Sequence, residues 1–382
     1  MDAVGLLGGS ENQWKEDAQW PQRVSSISTN IMLWTGLGKG LSSFWSHIRK
    51  GSIGMLSEKK FRKVLRGRGL GKEGIDVAVN AVKEFEEFLK ETEASFESAD
   101  LNRLKEYLSM LIAEGKNSMD RLLAIARYCN LTKKNDYYIY LAQLLNGRDV
   151  LPLIRDRLAD VAGEETRRRV FDGFVLPPLG APPDDYPKLT KLVVDRMKAE
   201  LPASTCRKVL TGNYHQIPAE AFREKKERFD KAASIDKYLK GEHERLVKEL
   251  TAFMKEGRIW YEQEITPEVV EFVRKSPEIA NGVRRGNKIY VTKIPYAPKE
   301  YLTEEDPLLR RYYACHCPLA RTAIRDGKIT IPSVFCYCSG GFEKAAFDVI
   351  FGKPTKVRLL ESALEGDPRC RFAISIPKSR MK

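Results

Sequence analysis

The sequence predicts an α+β protein: a mainly helical N-terminal part followed by a small mixed α+β C-terminal domain. Three observations predict it. Apolar residues recur at three- and four-residue steps from about 75 to 174. Near residue 255 the pattern changes to short runs of aromatic and β-branched residues bounded by Gly and Pro. Of the 7 cysteines, Cys315, Cys317, Cys336, Cys338 and Cys370 all fall in the stretch from Tyr312 to Cys370.

Residues 1–56 are rich in Gly, Ser and Trp without a sustained period, and read as a disordered or weakly structured extension. The part IMLWTGLGKGLSSFWSHIRK has a weak amphipathic pattern, which Gly36, Gly38 and Gly40 oppose. A second reading makes Met55 the functional start. Residues 57–175 read as a helical bundle. Val79, Val82, Phe85, Phe88 and Leu89 form one apolar stripe. LNRLKEYLSMLI continues it, and Ser118 with Asp120 can open the next helix, in which Cys129 is a packed thiol.

Residues 176–187 (LPPLGAPPDDYP) form a Pro-rich connector, because clustered prolines cannot continue a helix. A helical subdomain over 188–255 follows. It holds Cys206 and His215, the residue types of a nucleophile and its base, nine residues apart across a Gly212-Asn213 turn. The bland alternative is a buried thiol and a histidine satisfied at a turn. His243, among mixed Lys and Glu, reads as a surface residue.

Residues 256–382 form the cysteine-rich α+β domain. RIWYEQEIT reads as a strand, PEVVEFVRKS as a short helix, and RRGNKIYVTKIPY as a hairpin turning at Gly286-Asn287 with Ile289, Val291 and Ile294 inward. Each Cys-x-Cys pair is placed on an extended strand, where both sulfurs would point to one face. LARTAIRDG reads as a helix capped by Gly327, and Ser339-Gly340-Gly341 as a turn. FEKAAFDVIFG reads as a helix stopped by Gly352, with Phe342, Ala345, Ala346, Val349 and Ile350 inward. VRLLESAL and CRFAISI pair as a hairpin across EGDPR.

Composition limits the function classes. The chain is 42% hydrophobic and 31% charged, an ordinary globular balance. It has no apolar run long enough for a membrane span and no secretory-signal pattern, so a cytoplasmic location is expected. There, cysteines serve metals or chemistry more often than disulfides. The net charge of +13 and the basic block KKFRKVLRGRGLGK raise a nucleic-acid-associated reading, with a flexible basic lead-in as the plain alternative.

The thiol-rich stretch supports three uses. Cys315, Cys317, Cys336, Cys338 and Cys370 supply enough sulfur for a tetrahedral zinc site. An iron–sulfur cluster takes the same donors, but the spacing departs from ferredoxin runs. A metal-free nucleophilic or redox site is the third, with Arg321 or His316 favouring the thiolate. A catalytic zinc would keep one position open, and there Glu361 could act as a ligand or general base. A ligand pocket is expected between the FEKAAFDVIF helix and the hairpin, lined by Phe342, Phe347, Phe351, Leu360 and Phe372.

The pattern of a cysteine, a Gly-containing turn, an aromatic-rich helix, GKP, a strand with Glu, and GDPRCRF resembles the 4-vinyl-reductase domain, a small α+β ligand-binding module. The spacing of CHCPLAR, CYC and ESALEGDPRCRF is also similar to that of aminothiazoline-carboxylate hydrolases. Both resemblances cover about the last 70 residues. Across about residues 60–377 the chain resembles an uncharacterised prokaryotic family with the same CHCPLAR and CYCSGGFEK stretches. The first resemblance implies zinc held at Cys336 and Cys370, with Ser362 standing where the aromatic sensors of that group carry another cysteine.

The resulting expectation is a small-molecule-binding protein with a thiolate zinc site. A thiol- or metal-dependent hydrolase of a small heterocyclic or sulfur-containing substrate is the alternative, so the sequence leaves open whether the chain is an enzyme. It gives no oligomeric state.

Overall fold

The computed structural model describes residues 58–380. The extension read over residues 1–56 lies outside them. Among the described residues twelve α-helices precede the first strand, in this order: α1 (Glu58–Gly67), α2 (Lys72–Glu91), α3 (Leu101–Ala113), α4 (Met119–Thr132), α5 (Asn135–Asn146), α6 (Val150–Ala162), α7 (Glu164–Val170), α8 (Tyr186–Glu200), α9 (Ala203–Leu210), α10 (Arg223–Lys231), α11 (Ile235–Glu256) and α12 (Pro267–Lys275). Then come β1 (Val283–Arg285), β2 (Lys288–Thr292), α13 (Pro298–Thr303), α14 (Pro307–Ala314), α15 (Arg321–Asp326), α16 (Tyr337–Phe351), β3 (Val357–Glu361) and β4 (Arg371–Ser375). No helix of the described residues is long and apolar enough to cross a membrane.

The apolar period builds the first core. Ile75, Val79, Val82, Phe85 and Leu89 of α2 are all buried, against Leu104 and Leu108 of α3 and Leu122 and Ile125 of α4. Side-chain caps fix several helix starts. Asp100 accepts from the Asn102 and Arg103 amides, and Ser118 from that of Arg121. The basic block corrects one expectation: it opens as helix α1 rather than a flexible lead-in. Arg62 pairs there with Glu58 at 2.6 Å and Asp76 at 2.5 Å.

A second core joins α6, α8 and α9 to the segment 319–338, so the cysteine stretch is packed into the helical part. The Pro-rich connector lies along this junction, with Leu179, Ala181 and Pro183 buried. Pro187 sits in the first turn of α8, where no amide partner is needed.

The four strands form one antiparallel sheet in the order β1-β2-β4-β3. Arg285 pairs with Lys288, so Gly286 and Asn287 make the two-residue turn. Gly286 takes φ +61°, the left-handed value that such turns require. Ile289 and Val291 point into a third core with Phe347, Ile350, Phe351 and Ile374, under α16.

Several local expectations are overturned. RIWYEQEIT is not a strand: it makes one bridge between Trp260 and Gln263, with Tyr261 at φ +55° between them. Neither Cys-x-Cys pair lies in a strand. Cys315 caps the C-terminus of α14, a helix started by the Asp306 side chain and Pro307. Cys336 ends a 3-10 turn (Ser333–Cys336) that runs directly into α16. Cys338 and the expected turn Ser339-Gly340-Gly341 therefore lie inside a helix. Gly352 does end that helix, at φ +65°. Of the five residues expected inward on it, Ile350 is buried, whereas Phe342, Ala345, Ala346 and Val349 are half-buried. Cys338, Gly340, Gly341, Phe347 and Phe351 are buried beside Ile350.

Candidate functional site

The cysteine stretch surrounds a lysine that sequence reasoning passed over. Lys293 follows the last residue of β2, and its amide donates to the Cys370 carbonyl at 3.0 Å, one residue before β4. Its ammonium donates to Ser339 Oγ at 3.0 Å and stands 3.5 Å from the Glu343 carboxylate. It also lies 5.0 Å from the centre of the Phe342 ring. Ser339, Phe342 and Glu343 share one face of α16 through three- and four-residue steps. The Lys293 and Glu343 side chains are only 11% and 9% exposed.

His215 reaches this place through a glycine contact. The backbone of Gly341 in α16 abuts that of Gly212, just after α9. The Asn213 side chain bonds both the amide (3.1 Å) and the carbonyl (2.8 Å) of Ile217, which folds the turn around His215. The His215 ring stands edge-on to Phe342, with centroids 5.1 Å apart. Burial, aided by the positive charge of Lys293, pushes its imidazole down to about 4, so it is neutral at pH 7.

His316 approaches from the other Cys-x-Cys segment. Its Nε2 lies 2.5 Å from the Ile294 carbonyl, which can only accept, so Nε2 carries the proton and Nδ1 the lone pair. Burial and then Lys293 hold this ring well below the usual histidine range.

Burial likewise raises the Glu343 carboxyl, against the opposing effect of Lys293. Glu262, bonded by Asn146 and beside the Tyr296 hydroxyl, is also raised by burial. Arg321 is enclosed by the rings of Tyr296 at 4.0 Å and Tyr312 at 4.4 Å.

All seven cysteines are free. Cys336 feels Cys315, Cys317 and Cys370, Cys315 feels Cys370, and Cys317 feels Cys315 and Cys338. Burial dominates every one of these thiols. Cys315 is pushed up to about 12, with Arg321 opposing only weakly. Cys338 is also pushed up to about 12. The thiolate-favouring effect expected of Arg321 or His316 is therefore outweighed. Cys336 Sγ lies 3.1 Å from Ser362 Oγ. Among the described residues, no three of His, Cys, Asp and Glu are arranged to hold a metal ion.

No family model, curated protein or solved structure matches this chain. Its chemistry is therefore read from its own side chains.

The other candidates are distributed as follows. Cys206 is buried, with its thiol donating to the Met197 carbonyl at 3.2 Å, while His215 faces Phe342 and Lys293. Glu361 is taken up by Arg369 at 2.6 Å and Arg371 at 3.2 Å, which hold its carboxyl below the usual range. The proposed pocket residues separate. Phe347 and Phe351 fill the core under the sheet, Phe372 fills a small core with Cys315 and Cys370, and Leu360 is half-buried. Phe342 alone of the five faces the polar interior. His243, read as a surface residue, is half-buried, with Nε2 at 3.3 Å from the Arg274 carbonyl.

Lys293, Glu343, Glu262 and Tyr296 were missed because each looked ordinary in its own segment. One signal was present: Glu343 lies one helical turn from Ser339 and Phe347 on a face otherwise apolar or small.

Proposed function

We propose that this chain binds a small polar molecule in its C-terminal part, at the interior ion pair of Lys293 and Glu343, with the clustered thiols as one wall. The ion pair carries the reading. Withdrawing two charges from water costs several kcal/mol per ion, and a packed apolar pair is often as stable or more stable. Charged groups kept there among neutral imidazoles and raised carboxyls form the pattern of a functional site. Burial keeps the thiols protonated, which favours binding over thiol-nucleophile hydrolysis.

The test compares thermal midpoints of single and double variants. Glu343→Leu alone strands a buried ammonium and is expected to cost about 3–5 kcal/mol. Lys293→Met with Glu343→Leu is expected to recover the parental midpoint or exceed it. A double variant as unstable as the single one makes the pair structural and sinks the proposal.

Zinc is a second reading, favoured by the electrostatic links that join Cys315, Cys317, Cys336 and Cys370. It requires these sulfurs to draw together as they lose protons, and protection of all four from alkylation by added zinc is its test.

A further inference from the structure

Arg321 is a buried cation whose hydrogen-bonding capacity is largely unused. The residue is 6% exposed. Its Nη2 donates to the Tyr312 hydroxyl at 2.8 Å, but Nε and Nη1 have no partner among the described residues. Three N–H bonds are thus left without an acceptor, and a buried unpaired donor costs about 1–3 kcal/mol, more when charged. The rings of Tyr296 and Tyr312 hold the guanidinium plane without neutralising it. Lys293 acts on the same neighbours: both cations lower Glu262 and Cys315 and depress His316. Lys293 already has Glu343 as its counter-ion. Glu262 acts on Arg321 only through space, and neither it nor Glu343 accepts from Nε or Nη1.

We propose that Arg321 anchors the carboxylate of the small molecule held beside Lys293 and Glu343. This rests on the reading of that ion pair as a binding site and adds the ligand class to it. A planar carboxylate, with two acceptor oxygens, matches the unused donors of Nε and Nη1.

The experiment is saturation-transfer NMR on the full chain with acetate, acetamide and inorganic phosphate as probes. Acetate is expected to bind about tenfold more tightly than its neutral analogue, a difference of about 1.4 kcal/mol. Arg321→Gln is expected to abolish that preference. Equal binding of acetate and acetamide, no binding of acetate, a preference that survives in the variant, or displacement of acetate by less phosphate would each overturn the assignment.

A second measurement needs no variant. Iodoacetate and iodoacetamide both form an S–C bond at cysteine and release iodide, but only the first carries a carboxylate. Iodoacetate is expected to label Cys315 and Cys317 faster than iodoacetamide, and acetate to suppress it. The reverse order counts against the anchor. Neither experiment bears on the ion pair, which is decided by its own stability test without any anion.

Discussion

Gly341 meets the backbone of Gly212 so closely that a Cβ on it would stand 2.3 Å from the Gly212 carbonyl oxygen. This contact ties α16, which carries Ser339 and Glu343, to the turn that carries His215. In an exposed helix, glycine-to-alanine gains up to about 1 kcal/mol from propensity. Here the added methyl meets backbone, which cannot rotate away. Gly341→Ala is therefore expected to destabilise the protein by about 1–3 kcal/mol, the usual cost of overpacking. Denaturant unfolding checks this. A neutral or stabilising result would mean that the two segments separate freely, and that His215 is not held by this contact.

The depressed His215 imidazole sets a pH window. The unfolded side chain titrates near the ordinary histidine value of 6.5 and the folded one at about 4. Between these values the unfolded state binds the extra proton, so stability is full above about pH 6.5 and falls as pH drops toward 4. A shift of this size corresponds to at most about 3 kcal/mol. Lys293 faces the ring and shares the effect, and His316 is depressed in the same direction. Glu343 and Glu262, being raised, oppose it: their contribution weakens as pH rises from the carboxylate range. Comparison with His215→Gln isolates the one proton. The variant's stability is expected to depend less on pH from 6.5 to 5, by up to one proton taken up on unfolding. Identical slopes for parent and variant would place His215 in open solvent instead.

The sequence displayed the helices and concealed the site, for physical reasons. The stripe of Val79, Val82 and Phe85 is a local, repeated signal, and so is the turn at Gly286-Asn287. Clustering of the thiols could also be read, since five of them share one stretch. Their backbone could not. Tyr312, Tyr313 and Cys315 have the composition of a strand, yet the Asp306 cap and Pro307 start a helix that takes in both tyrosines and is capped by Cys315. Gly340 and Gly341 have the composition of a turn, yet they serve close packing inside α16, against Phe372 and Gly212. Lys293 and Glu343 are fifty positions apart, and each taken alone reads as a solvated charge. Only the fold brings them face to face.

Thiol reactivity follows from the same enclosure and bears on the metal reading. Burial raises all seven thiols above the ordinary range. A thiol held at about 12, as Cys315 is, has a thiolate fraction about three orders of magnitude below that of a free cysteine at neutral pH. Iodoacetamide is therefore expected to label the native chain slowly. Cys317 should come first, as the one cysteine that is not fully buried, and Cys129, with no exposed surface, last. Site-resolved mass spectrometry gives the order, and rapid labelling of Cys315 at neutral pH would contradict the burial argument. Added zinc changes the expectation only if four sulfurs close on it. Cys315, Cys317, Cys336 and Cys370 would then be protected together, with release of protons as thiols become thiolates. Labelling rates indifferent to zinc would remove the metal reading and leave the thiols as a protonated wall of the Lys293–Glu343 site.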